Sequence, residues 1–145
     1  MQCKKTSDTT KEEVLPAETQ TGADTFGCLV NGKVWLPKGK FPYSGLTATI
    51  QFNGFQINAS QGKQYIHIAK NDFKQIGEFP LNSFDKDAAF IDKEDEYKCT
   101  DGVLTITKYD KSNQIVSGRF WFNAKNNAGD ILAITAGRFD LRYTN

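Results

Sequence analysis

The chain has little of what catalytic and metal sites are usually made from. It contains one histidine, His67, among 145 residues. Serine or cysteine nucleophilic catalysis would need that imidazole as its base. No Gly-x-Ser-x-Gly elbow accompanies it, and His67 falls beside Tyr65 in an alternating stretch, where it reads as a surface strand residue. There is no Cys-x-x-Cys, no pair of histidines and no EF-hand loop, which removes the common zinc and calcium patterns. The glycines punctuate turns and build no phosphate loop, so no cofactor is expected. No apolar run approaches the ~18 residues of a membrane helix. A formal net charge of +1 favours neither nucleic acid nor an anionic membrane surface. No ten-residue stretch has helical periodicity, and strands do not alternate with helices.

What is present is β structure. The 11 Phe, 5 Tyr and 2 Trp suit strands and a sizeable core. From Ile115 to Ala124, Val116, Gly118, Phe120, Phe122 and Ala124 fall on one face, and Ser117, Arg119, Trp121 and Asn123 on the other. Phe139, Leu141 and Tyr143 alternate as cleanly with Arg138, Asp140 and Arg142. A period of two over such lengths means strands with one buried face. The link at 125–130 is a turn by composition.

Three Asn-Gly or Asp-Gly pairs predict two-residue hairpins. Asn31-Gly32 sets Cys28 opposite Trp35. Asn53-Gly54 sets Phe52 opposite Phe55 and Ile50 opposite Ile57, with Thr49 facing Asn58 on the polar side. Asp101-Gly102 sets Cys99 opposite Leu104 and Tyr97 opposite Ile106. Further strands are expected at Gln64–Lys70, Phe79–Leu81 and Ala88–Ile91. About ten strands joined by short hairpins predict an all-β, antiparallel sandwich or a closed or partly closed barrel, with the choice open. Residues 25–145 form that single domain. Residues 1–24, polar and aperiodic, predict a flexible tether reaching about 25 Å as a coil.

Three segments together carry a family resemblance. They are Phe26-Gly-Cys-Leu-Val-Asn-Gly-Lys-Val-Trp35, then Gly102-Val-Leu-Thr-Ile-Thr-Lys-Tyr-Asp110 leading into Val116-Ser-Gly-Arg-Phe-Trp-Phe122, and Ile134-Thr-Ala-Gly-Arg-Phe-Asp140. In order and spacing the chain resembles the uncharacterised lipoprotein domain of the cell envelope of Bacteroides-like bacteria, over roughly residues 22–143. The resemblance implies an envelope location, periplasmic or surface-exposed, and attachment to the membrane by a lipid anchor alone. It implies no assigned activity. Cys3, at the head of a polar tail, is then the candidate lipid-attachment residue of a precursor.

The candidate sites are few. Trp121 shares its predicted outer face with Arg119 and Asn123, and an exposed indole among polar donors can contact a glycan or an envelope protein. Trp35 is expected in the core. Cys28 and Cys99 both fall on apolar faces, which leaves a disulfide or two buried thiols. Arg138 and Asp140 form either a solvent-side charge ladder, worth at most ~1 kcal/mol, or a charged rim. Asp85, Asp87, Asp92, Glu94, Asp95 and Glu96 are expected in a solvated loop, with a Ca²⁺ site as the other reading. The function expected is that of a non-enzymatic binding or structural module. The alternatives are a calycin-like barrel whose Phe52, Phe55, Phe120 and Phe122 line a lumen for a small apolar ligand, and an envelope hydrolase using paired carboxylates.

Overall fold

The computed structural model describes residues 13–39, 44–73, 75–83 and 86–145. Ten strands follow one another: β1 Thr25–Val30, β2 Lys33–Trp35, β3 Leu46–Gln51, β4 Gly54–Gln61, β5 Gln64–Lys70, β6 Gly77–Asn82, β7 Ala88–Asp92, β8 Asp95–Asp110, β9 Ile115–Lys125 and β10 Ile131–Arg142. They make one antiparallel sheet in the order β2-β1-β10-β9-β8-β7-β5-β4-β3, with β6 added alongside β8. The sheet curls into a half-barrel. Its free ends are stitched back onto it. Trp35 Nε1 donates to Gln64 Oε1 at 2.9 Å, and Gln61 Nε2 donates to the Leu36 carbonyl at 2.8 Å. At the other edge, Ile50 N donates to Thr144 O at 2.9 Å and Thr144 N to Ala48 O at 3.0 Å.

The inner face is filled by the residues that alternation assigned to it. Phe120 stacks on Phe26 at 5.3 Å, and Phe55 packs against Phe73 and Phe139 at 5.4 and 5.9 Å. Phe122, Ile134, Ile57 and Leu104 are fully buried among them. Three of the four aromatics proposed as a lumen wall are therefore packed core. The fourth, Phe52, is 93% exposed.

The Asn31-Gly32 turn has the expected register, with Cys28 opposite Trp35, and both turn residues have positive φ. The other two hairpins differ from expectation. In β3–β4 the turn residues are Phe52 and Asn53, at φ 52° and 63°, so Ile50 faces Phe55 and Thr47 faces Asn58. The expected pairing was displaced by two residues. Such a slip returns every side chain to its own face, so matching polarity could not reveal it.

Asp101-Gly102 is not a turn. It lies within β8, where Asp101 faces Asn123 and Gly102 faces Phe122. A bulge between Cys99 and Asp101 shifts the register there. Glycine is needed for close approach: a Cβ on Gly102 would sit 2.4 Å from the Trp121 carbonyl oxygen and 2.6 Å from Phe122 Cβ. The chain reverses earlier, between Asp92 and Asp95.

The proposed Cys28–Cys99 disulfide is not formed, and both are buried free thiols. β10 and β9 lie between β1 and β8. Three strand spacings come to about 14 Å along the sheet, against a disulfide limit near 7 Å. Burial pushes both thiols up to about 12, with Asp87 and Asp101 adding to the shift at Cys99.

The tether expectation for residues 1–24 fails from Glu13 onward, because that part of the tail lies on the domain. Glu13 pairs with Lys38 at 2.9 Å, and the 18–23 stretch is hydrogen-bonded to β9 and β10. Cys3 lies outside the described residues.

Candidate functional site

Among the described residues, the most extensive polar cluster is at Asp140, on the outer face of β10. Its side chain is 1% exposed, so the expected solvent-side ladder with Arg138 is absent. Thr19 Oγ1, Thr21 N, Thr21 Oγ1 and Ala23 N donate to Oδ2 at 2.6, 2.9, 3.3 and 3.1 Å. Gly22 N and Ser117 Oγ both donate to Oδ1 at 2.7 Å. Burial opposes ionisation, but these hydrogen bonds outweigh it and hold the carboxyl well below the ordinary range. Arg138 turns elsewhere: Nε donates to Ala136 O at 3.0 Å and Nη1 to Pro16 O at 3.2 Å. Residues 13–24 thus form a strap across the outside of the sheet.

The strap covers only part of this face. Beyond it, on β9, Trp121 stays 41% exposed. Arg119 is exposed and meets Glu18 of the strap at 3.3 Å. Asn123 Nδ2 donates to Asp101 Oδ1 at 3.2 Å. The three residues singled out in the sequence therefore do share one strand face. Val103 of β8 lies opposite Trp121, and a pocket of about 210 Å³ opens between them, Ala136 and Arg138.

A larger groove lies on the outer surface of β3, β4, β5 and β7, with a volume of about 650 Å³. Two cross-strand rows line it. One runs Thr47, Asn58 and His67; the next runs Ser60, Tyr65 and Ile91. His67 Nδ1 and Asn58 Oδ1 are 2.7 Å apart. Burial lowers the His67 pKa, which favours the neutral ring. Tyr65 is 45% exposed. Asn58, Tyr65 and His67 were each visible as outward-facing, but the slipped β3–β4 register set Thr49, not Thr47, against Asn58. The row was therefore hidden in the sequence.

The acidic run does not act as one loop. Asp87 is buried and bonded to Lys70 Nζ and Asn82 N, both at 3.0 Å, while Glu94, Asp95 and Glu96 are exposed; Asp85 lies outside the described residues. Among the described residues, no group of three or more His, Cys, Asp or Glu side chains is placed to hold a metal ion. Asp140 and Asp110 are both shifted downward, the opposite of what a general acid needs, Asp110 by its hydrogen bonds with Asn113. No described helix is long and apolar enough to cross a membrane.

No curated protein and no solved structure matches the chain. The family model of DUF6252, a domain of unknown function, matches residues 38–140, from just after β2 almost to the end of β10, and the chain belongs to that family.

Proposed function

We propose that the chain is a non-enzymatic binding module of the bacterial cell envelope that meets a partner through the outer face of β8–β10. The observation that carries this reading is Trp121, 41% exposed at the middle of an eleven-residue strand, between Arg119 and Asn123. Interface hot spots are enriched in Trp and Arg. An indole held by a rigid sheet gives contact area at low conformational cost. A long exposed strand face suits an extended partner, a glycan strand or an envelope protein. Membrane attachment would come through Cys3 of the precursor and the residues leading from it to the strap.

Two experiments test this. Purified wild-type protein and the Trp121→Ala/Arg119→Ala/Asn123→Ala triple variant are incubated with isolated cell-wall sacculi and with solubilised envelope protein. Binding by the wild type that drops about tenfold or more in the variant supports the face. Equal binding by both, or none by either, removes it. Mass spectrometry of protein from the membrane fraction tests the anchor: a lipid-modified Cys3 at the amino terminus supports it, and an unmodified Cys3 behind a retained Met1 refutes it.

A further inference from the structure

The groove over β3–β5 is a separate concavity from the Trp121 face, and its chemistry is specific. Its volume of about 650 Å³ lies within the ~300–1,000 Å³ range of small-molecule sites. Ala59, Ile66 and Ile91 are among its lining, the first two with their side chains in the core. Among the described residues, no Lys, Arg, Asp or Glu belongs to its lining. A phosphate or carboxylate ligand would find no cation there, and a cationic ligand no anion. The polar groups are hydroxyls, one carboxamide and one imidazole.

Those groups are oriented. With Oδ1 of Asn58 as acceptor, the proton of the neutral His67 ring belongs on Nδ1. Nε2 is then left as an acceptor, and Asn58 Nδ2, on the paired residue of the next strand, as a donor. Thr47, the next residue of the row, adds a hydroxyl. Two residue pairs further along, the half-exposed phenol ring of Tyr65 stands in the neighbouring row. An acceptor and a donor on paired residues suit hydroxyls of one molecule, each of which both gives and takes a hydrogen bond. An aromatic face beside them matches the C–H face of the same ring.

We propose that this groove binds an uncharged saccharide, with His67 Nε2 and Asn58 Nδ2 bonding its hydroxyls and Tyr65 packing on the sugar ring. This goes beyond the Trp121 face and does not depend on it: β7 and β8 lie between β5 and β9.

The single histidine makes the test direct. The ring nitrogens of His67 are followed by ¹⁵N NMR in the full chain. Glucose, galactose, mannose, N-acetylglucosamine and maltose are titrated to millimolar concentration, with glucuronate and glucose 6-phosphate as charged controls. The free protein is expected to show a bare Nε2 and a protonated Nδ1. At least one neutral sugar is expected to move Nε2 saturably, with affinity falling about tenfold or more in Tyr65→Ala and in Asn58→Ala. Trp121→Ala is expected to leave that titration unchanged. Tyr65 and Asn58 are exposed, and the amide spectrum of each variant verifies that its fold is retained. The proposal is overturned if Nε2 carries the proton, or if no neutral sugar gives a saturable shift. Equal binding of the charged controls, or a response indifferent to Tyr65 and Asn58, overturns it as well.

Discussion

Asp140 keeps its charge in a buried place by accepting hydrogen bonds from neutral groups, most of them on the strap. Each such bond to a charged acceptor is worth about 1.5–3 kcal/mol when an uncharged partner replaces it. Asp140→Asn puts an amide among donors that want only acceptors, and is expected to cost about 3 kcal/mol in urea unfolding at neutral pH. The pH dependence has a definite sign. A carboxyl depressed in the folded state binds fewer protons than its unfolded counterpart, whose pKa is near ~3.9. Its contribution is fully present above that value and is lost as pH falls through the lower folded one. The wild type should therefore lose stability below about pH 4 more steeply than Asp140→Asn. Phe52 makes the opposite case. A bulky residue at φ 52° is strained, and with its ring 93% exposed it returns little packing. Phe52→Asn, which tolerates that conformation, should raise the urea midpoint, by about 1 kcal/mol in stability.

At the scale of elements, β9 and β10 were legible because their alternation is long and is closed at one end by a turn-rich link. The β1–β2 hairpin was legible because Asn31-Gly32 has the turn chemistry that its φ values require. Asp101-Gly102 misled for a physical reason. A two-residue turn and a bulge both switch the buried positions from odd to even numbers, here from Tyr97 and Cys99 to Leu104 and Ile106. The burial pattern was therefore correct while the topology was not, and β8 is one sixteen-residue strand. The strap was illegible because it holds no periodic pattern; its fit depends on Ser117 and Asp140, more than 90 residues away in the chain. Gly102→Ala separates the two readings of that dipeptide. In a free turn alanine would cost about 1 kcal/mol. Against the β9 backbone at 2.4 Å it should cost about 2–3 kcal/mol and broaden the amide signals of Trp121 and Phe122.

For the whole molecule, the curl of one sheet settles what strand counting left open. A half-barrel brings one aromatic-rich core inside and leaves two distinct outer surfaces, the face around Trp121 and the groove around His67. The strand order keeps Cys28 and Cys99 apart. Native protein at neutral pH should show no reaction of either thiol with a disulfide reagent, because burial holds both near a pKa of about 12. Unfolding without reductant should expose both at once; a shortfall would mean a disulfide after all.

The strap also decides how the domain would answer a pull on its amino terminus. Tension would meet the Glu13–Lys38 pair first, then Pro16 on Arg138, then Glu18 on Arg119, and the Asp140 cluster last. Contacts met one at a time peel at low force, whereas strands sheared together resist. Residues 13–18 would therefore pay out as slack, about 20 Å of extended chain, before the Asp140 cluster took the load. The strap is a spring washer between the amino terminus and the domain, and the Asp140 cluster is its stop.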